Sequence, residues 1–187
     1  MPMNIKVVPL ELAGVRRIEP ESFEDERGFF FESFSKRRFQ ENGLDFEFVQ
    51  DNHSRSARGV LRGFHFQGPA AQQWRLVRCS VGEIFDVVVD LRPASPTYGK
   101  WLGAQLSASN KHQLLIPPEF AHGFCVLSEI ADVTYKVSSY YDPAYERGFA
   151  YDDPDVAIPW PSDIELQVSE RDRTAPPLSA LRPDLPF

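Results

Sequence analysis

Apolar residues in this chain come in short runs separated by Gly, Pro, Asn and Ser. Residues 28–34, 59–67, 74–80, 84–91, 101–106, 113–116, 123–127 and 132–138 each have the Val, Ile, Phe and Tyr content of a strand, with turn formers between them. Helical signal is confined to 35–43, where Ser35 opens a charged stretch that Gly43 closes, and to a short segment near 161–164. Many short strands with so little helix predict an all-β sandwich or barrel. No internal repeat, low-complexity segment or linker divides the chain, and the 16 prolines mark turns and the C-terminal region. One domain over residues 1–187 is therefore expected.

Alternation assigns faces within these strands. In Val133-Thr134-Tyr135-Lys136-Val137, Tyr135 shares the side of Val133 and Val137 and is expected to point inward. In the run 84–91, Phe85, Val87, Val89 and Leu91 form an apolar face, while Asp86 and Asp90 lie with Ile84 and Val88. An acid on a buried face needs a partner.

The run Gly59-Val60-Leu61-Arg62-Gly63-Phe64-His65-Phe66-Gln67 sets a guanidinium and an imidazole three residues apart inside an apolar strand. An arginine fork suits phosphate or carboxylate, and histidine suits proton transfer near neutral pH. A lone histidine among phenylalanines is ordinarily a core residue, so the rest of the chain decides its role. Strict alternation would put Arg62 and His65 on opposite faces; a bulge at Gly63 would re-aim one of them.

Composition narrows the function classes. A formal charge of -7 argues against a nucleic-acid surface. The basic residues are scattered, so an anionic ligand would be held by particular arginines. Cys79 and Cys125 lack metal-ligand or redox spacing and read as small buried residues, which fits a reducing, cytoplasmic location. The first residues lack a leader's apolar core, and no stretch approaches the ~20 apolar residues of a membrane span. No membrane or nucleic-acid partner is expected.

Several separated motifs give the chain a resemblance to the dTDP-4-dehydrorhamnose 3,5-epimerase family of nucleotide-sugar epimerases. They are Asp25-Glu26-Arg27-Gly28-Phe29-Phe30-Phe31-Glu32, Gln50-Asp51-Asn52-His53-Ser54, Leu61-Arg62-Gly63-Phe64-His65-Phe66-Gln67, Phe85-Asp86-Val87-Val88-Val89-Asp90-Leu91-Arg92, Phe120-Ala121-His122-Gly123-Phe124, Tyr135-Lys136 with Tyr140-Tyr141, and finally Ile158-Pro159-Trp160-Pro161 and Ser169-Glu170-Arg171-Asp172. Each alone is weak; in order, over nearly the whole length, they are specific.

The resemblance implies a double-stranded β-helix (jelly roll, cupin-like) with a few short helices. It further implies a homodimer in which an N-terminal segment of one subunit joins the other's sheet. The implied substrate is a dTDP-4-keto-6-deoxy sugar inverted at C3, C5 or both. No cofactor is implied, because the C4 ketone acidifies the neighbouring C–H bonds and delocalises the carbanion as an enolate. His65 maps to the base, Asp172 to its carboxylate partner and Tyr135 to the proton donor on the opposite face. The enolate-stabilising lysine is replaced by Arg75, which keeps the charge but holds its proton too tightly to act as an acid. Trp74 beside it is bulkier than the small residue the resemblance implies there, and the wider arginine fork next to it is expected to bias the sugar pose. Arg27, Glu32, Arg62 and Arg171 map to contacts with diphosphate, sugar or nucleoside; Gln50, Asn52 and His122 to sugar or phosphate; and Glu146 to another ligand position. Tyr141 maps to the residue stacking on the base, with Phe29 or Trp160 helping to enclose it.

Two other readings compete. Metal-dependent jelly-roll enzymes use a His-x-His pair, but His65 is followed by Phe66-Gln67. A non-catalytic sugar-nucleotide-binding jelly roll would not need His65, Asp172 and Tyr135 together.

Overall fold

The computed structural model describes residues 3–182 and Leu185. Its strands in chain order are β1 (Ile5–Pro9), β2 (Arg16–Pro20), β3 (Ser22–Asp25), β4 (Gly28–Phe31), β5 (Gln50–Ala57), β6 (Val60–Gln67) and β7 (Arg75–Val81). There follow β8 (Glu83–Asp90), β9 (Trp101–Ser107), β10 (Gln113–Ile116), β11 (Phe120–Val126), β12 (Ile130–Val137), β13 (Glu146–Gly148) and β14 (Gln167–Val168). Three short helices accompany them: α1 (Lys36–Glu41), α2 (Glu170–Arg173) and α3 (Leu178–Leu181). One sheet runs β1-β2-β10-β7-β12-β5 and the other β13-β6-β11-β8-β9, with β14 added in parallel to β6. Strands β3 and β4 form a separate hairpin. Two facing sheets of this kind make a jelly roll.

Three apolar clusters hold the layers together. Val77, Ile84, Val88, Leu106, Leu114, Phe124 and Val133 pack between the sheets. Outside the second sheet, Phe64, Val87, Val89 and Leu91 lie against Phe149, Val156 and Leu178 from the C-terminal segments. Outside the first, Leu76 and Leu115 pack on Phe39 of α1 and on Leu44. Strand β8 is thus buried on both faces, as its two-sided pattern requires. Cys79 and Cys125 are free and buried, and burial pushes both thiols up to about 11, which leaves them inert at neutral pH.

All eight expected strands form. Six others form outside the expected segments: β1, β2, β3, β5, β13 and β14. The helix expected near 161–164 does not form; that segment is turn and irregular chain between Pro161 and the start of β14.

Candidate active site

Where apolar filling gives way to polar side chains, the two sheets enclose a cavity of about 610 Å³. One wall comes from the second sheet. Along β6 the register with β11 pairs His65 with His122 but Arg62 with Phe124, so β6 carries one extra residue at Gly63-Phe64. This is the expected bulge, and it turns both Arg62 and His65 into the cavity. Gly63 has φ of +134°, and a Cβ there would stand 2.5 Å from Gly123 Cα, so the close strand contact requires glycine.

Asp172 reaches His65 from α2. Ser169 caps that helix by accepting from the Asp172 amide at 3.1 Å, which fixes Asp172 and its neighbour Arg171 at the cavity edge. Asp172 Oδ1 lies 2.7 Å from His65 Nε2, and Oδ2 accepts from the Gly63 amide at 3.4 Å. Burial raises the Asp172 carboxyl, but the bonds from His65, Gly63 and Ser169 outweigh it and hold the group below its ordinary value. An ionised Asp172 bound to Nε2 leaves Nδ1 of His65 free to accept a proton.

The facing wall belongs to the first sheet. Arg75 follows the inward alternation of Val77 and Cys79, and Tyr135 that of Val133 and Val137. Arg75 Nη1 donates to the His65 carbonyl at 2.9 Å. Burial pulls the Arg75 guanidinium below its ordinary value, opposed by the nearby Tyr135, Glu146 and Asp86. Trp74, its neighbour, points to the other side of the sheet and stacks on Phe46 with ring centroids 4.0 Å apart, so its bulk lies outside the cavity lining. On β5, Gln50 and Asn52 line the cavity and bond each other at 2.9 Å.

At the mouth, Glu146 accepts from the Tyr141 hydroxyl and from Arg171 Nη1, each at 2.7 Å. Burial raises Glu146, yet these two partners hold it below its ordinary value. Gln50 also accepts from the Tyr141 amide at 3.1 Å, so the tyrosine is fixed from two sides while its ring stays half exposed. Arg62 donates to Ser56 Oγ at 3.2 Å and keeps its remaining N–H groups toward the cavity.

The arrangement gathers His65, Asp172, Tyr135, Arg75, Gln50, Asn52, Arg62, His122, Tyr141, Glu146 and Arg171 around one cavity. It does not gather four others. Arg27 is exposed on the β3–β4 turn and bonds Asp25, Phe29 is 58% exposed beneath the Lys111 ammonium, and Glu32 bonds Arg38 at 2.6 Å. Trp160 packs with Phe64 and Phe85 outside the second sheet and donates Nε1 to the Tyr151 carbonyl at 2.8 Å. It packs, partly buried, against the outer cluster and does not line the cavity.

Gln67, Gln73 and Ser54 line the cavity and were missed in the sequence. Period two would have found them, since Gln67 follows His65, Gln73 precedes Arg75 and Ser54 follows Asn52 at spacing two. Among the described residues no three His, Cys, Asp or Glu side chains gather as a metal site, and no helix is long and apolar enough to cross a membrane.

Comparison with known proteins gives a consistent set of likenesses. The pattern that defines dTDP-4-dehydrorhamnose 3,5-epimerase matches residues 9–180. The dTDP-4-dehydrorhamnose 3,5-epimerase of Shigella flexneri is 52% identical over 169 residues, 90% of this chain and 93% of that protein. The protein of the same name from Pseudomonas aeruginosa is 52% identical over 170 residues, again 90% and 93%. Among solved structures, dTDP-6-deoxy-D-glucose-3,5-epimerase from Legionella pneumophila, in complex with dTDP-4-keto-L-rhamnose, superposes with a TM-score of 0.92 at 45% identity, covering 97% of this chain and 96% of that one.

Proposed function

The chain belongs to the dTDP-4-dehydrorhamnose 3,5-epimerase family, and from that premise we propose that it inverts C3, C5 or both of a dTDP-4-keto-6-deoxy sugar through an enolate, in deoxysugar biosynthesis. The observation that carries this reading is the His65–Asp172 pair on one wall of the cavity with Tyr135 on the other and Arg75 bonded across to the His65 carbonyl.

The chemistry follows from that placement. Nδ1 of His65 removes the proton next to the C4 ketone, and Asp172 orients the ring and stabilises the imidazolium that forms. Charge moves from the broken C–H bond to the C4 oxygen, where Arg75 meets it. Tyr135 returns a proton to the same carbon from the opposite face, which inverts it. The substrate supplies its own electron sink, so no cofactor enters the steps.

Binding roles extend outward from the reacting carbons. Gln50, Asn52 and His122 hold the sugar or its phosphates, Arg62 and Arg171 hold the diphosphate, and Tyr141 stacks on the thymine with its hydroxyl anchored by Glu146. Arg27, Phe29 and Glu32 complete the site only from a second copy of the chain. The β3–β4 hairpin leaves Phe29 and Phe30 about 60% exposed, an apolar pair suited to a partner surface. A cytoplasmic homodimer is part of the same proposal. Incubation with dTDP-4-keto-6-deoxyglucose, followed by NMR, tests the activity through formation of a C3- or C5-inverted product. Mixed dimers of His65→Ala and Arg27→Ala chains test the shared site, because one intact site per dimer restores activity that neither homodimer has.

A further inference from the structure

His122, which lines the cavity, belongs to a second histidine–aspartate pair whose aspartate is buried away from the cavity surface. His122 is the cross-strand partner of His65, and its Nε2 lies 2.8 Å from Asp86 Oδ2. The two aspartates differ in their surroundings. Asp172 has the Gly63 amide as an added donor, whereas Asp86 has no exposed surface, bonds only His122, and buries Oδ1 without a hydrogen-bond partner among the described residues. Arg75 from β7 is the other cation acting on Asp86, at longer range. Burial raises the Asp86 carboxyl against the pull of His122 and Arg75, the opposite outcome to Asp172.

An uncompensated carboxylate so enclosed is costly, so the pair is most stable with a net charge of zero. Two proton placements satisfy that: carboxylate with imidazolium, or carboxylic acid with neutral ring. In both, Nδ1 of His122 carries a hydrogen. We propose that Asp86 is a positioning residue that keeps Nδ1 of His122 protonated, so that His122 donates to the enolate oxygen while His65 beside it presents the bare nitrogen of a base. Environments that push two like pairs apart in this way assign donor and acceptor roles to neighbouring groups. The catalytic part of this inference rests on the proposed epimerase reading; the protonation of His122 does not.

The test uses the intact protein labelled with ¹⁵N-histidine. At neutral pH, without ligand, His122 Nδ1 is expected to resonate as a protonated nitrogen and His65 Nδ1 as a bare one; a bare Nδ1 on His122 overturns the proposal. In kinetics with dTDP-4-keto-6-deoxyglucose in deuterated water, Asp86→Ala should lower kcat for exchange about tenfold or more, with KM changed by less than about twofold. The loss should vanish in a His122→Asn background. A loss that persists in full there means Asp86 serves the fold alone and overturns the proposal. If Asp86→Ala does not fold, the nitrogen spectrum of the native protein decides. Native protein that exchanges no deuterium refutes the epimerase reading, while the spectrum still decides the protonation.

Discussion

Arg75 on one sheet donates to the backbone carbonyl of His65 on the other across 2.9 Å. The bond fixes a cation beside the strand that carries the base, and it uses one arm of a fork whose other N–H groups remain for a ligand. Arg75→Met should slow deuterium exchange about 10²–10³-fold at saturating substrate, the usual cost of losing one donor to a developing oxyanion. Arg75→Lys restores the charge without the fork and should recover most of that loss. Exchange rates from time-resolved NMR check both, and native rates in Arg75→Met would remove it from the oxyanion position.

Tyr135→Phe separates the two halves of the reaction. With His65 intact, label still enters the carbon it deprotonates, but delivery from the opposite face is lost. Inverted product should fall about 10²–10⁴-fold while exchange continues. Product and label are read from the same NMR spectra, and unchanged inversion would take Tyr135 out of the mechanism.

Gly63→Ala places a Cβ 2.5 Å from Gly123 Cα at a φ of +134°. Such backbone strain costs on the order of 1–3 kcal/mol. The strand must shift to relieve it, which moves Arg62 and His65 together. Thermal unfolding should show a lower Tm, and exchange should fall more than stability alone explains. A variant with native Tm and activity would show that the bulge tolerates a side chain.

Much of this site was legible because side chains alternate between two faces along β8 and β12, and along β6 on either side of Gly63. The sequence also signalled the bulge, since Arg62 and His65 could share a face only if Gly63 broke the period. Strand β5 was missed because Gln50-Asp51-Asn52-His53-Ser54-Arg55 is polar on both faces: one lines the cavity and the other meets solvent. Trp74 was misplaced for the opposite reason. Neighbours along a strand point to opposite sides, so adjacency to Arg75 placed it outside the sheet. The segment near 161–164 lacks the apolar periodicity that would fold a helix onto the core. Helix α2 was overlooked although Ser169 and Asp172 have capping spacing. Arg27 and Phe29 of the hairpin, and Glu32 just after it, lie away from the cavity, and no local pattern in the sequence signals that placement.

Asp132 gives a prediction about acid stability. Arg55 binds it at 2.7 and 2.8 Å and His53 lies 3.3 Å away, which lowers its carboxyl from 3.8 to about 2. A carboxylate depressed in the folded state stabilises it above the unfolded value, and that contribution is lost as pH falls through the folded value. The difference in Tm between native protein and Asp132→Asn should therefore be full above about pH 4 and close toward about pH 2. A constant difference across that window would show that Asp132 acts by shape alone.

In the proposed reaction His65 removes a proton next to the ketone of a bound dTDP-4-keto-6-deoxy sugar. The direct measurement is deuterium incorporation at C3 and C5 in deuterated water, comparing native protein with His65→Ala that is folded and still binds dTDP. Label is expected at C3, C5 or both with native protein, and none above the uncatalysed rate with the variant. Rapid labelling by the folded variant, or none by the native protein, would contradict it.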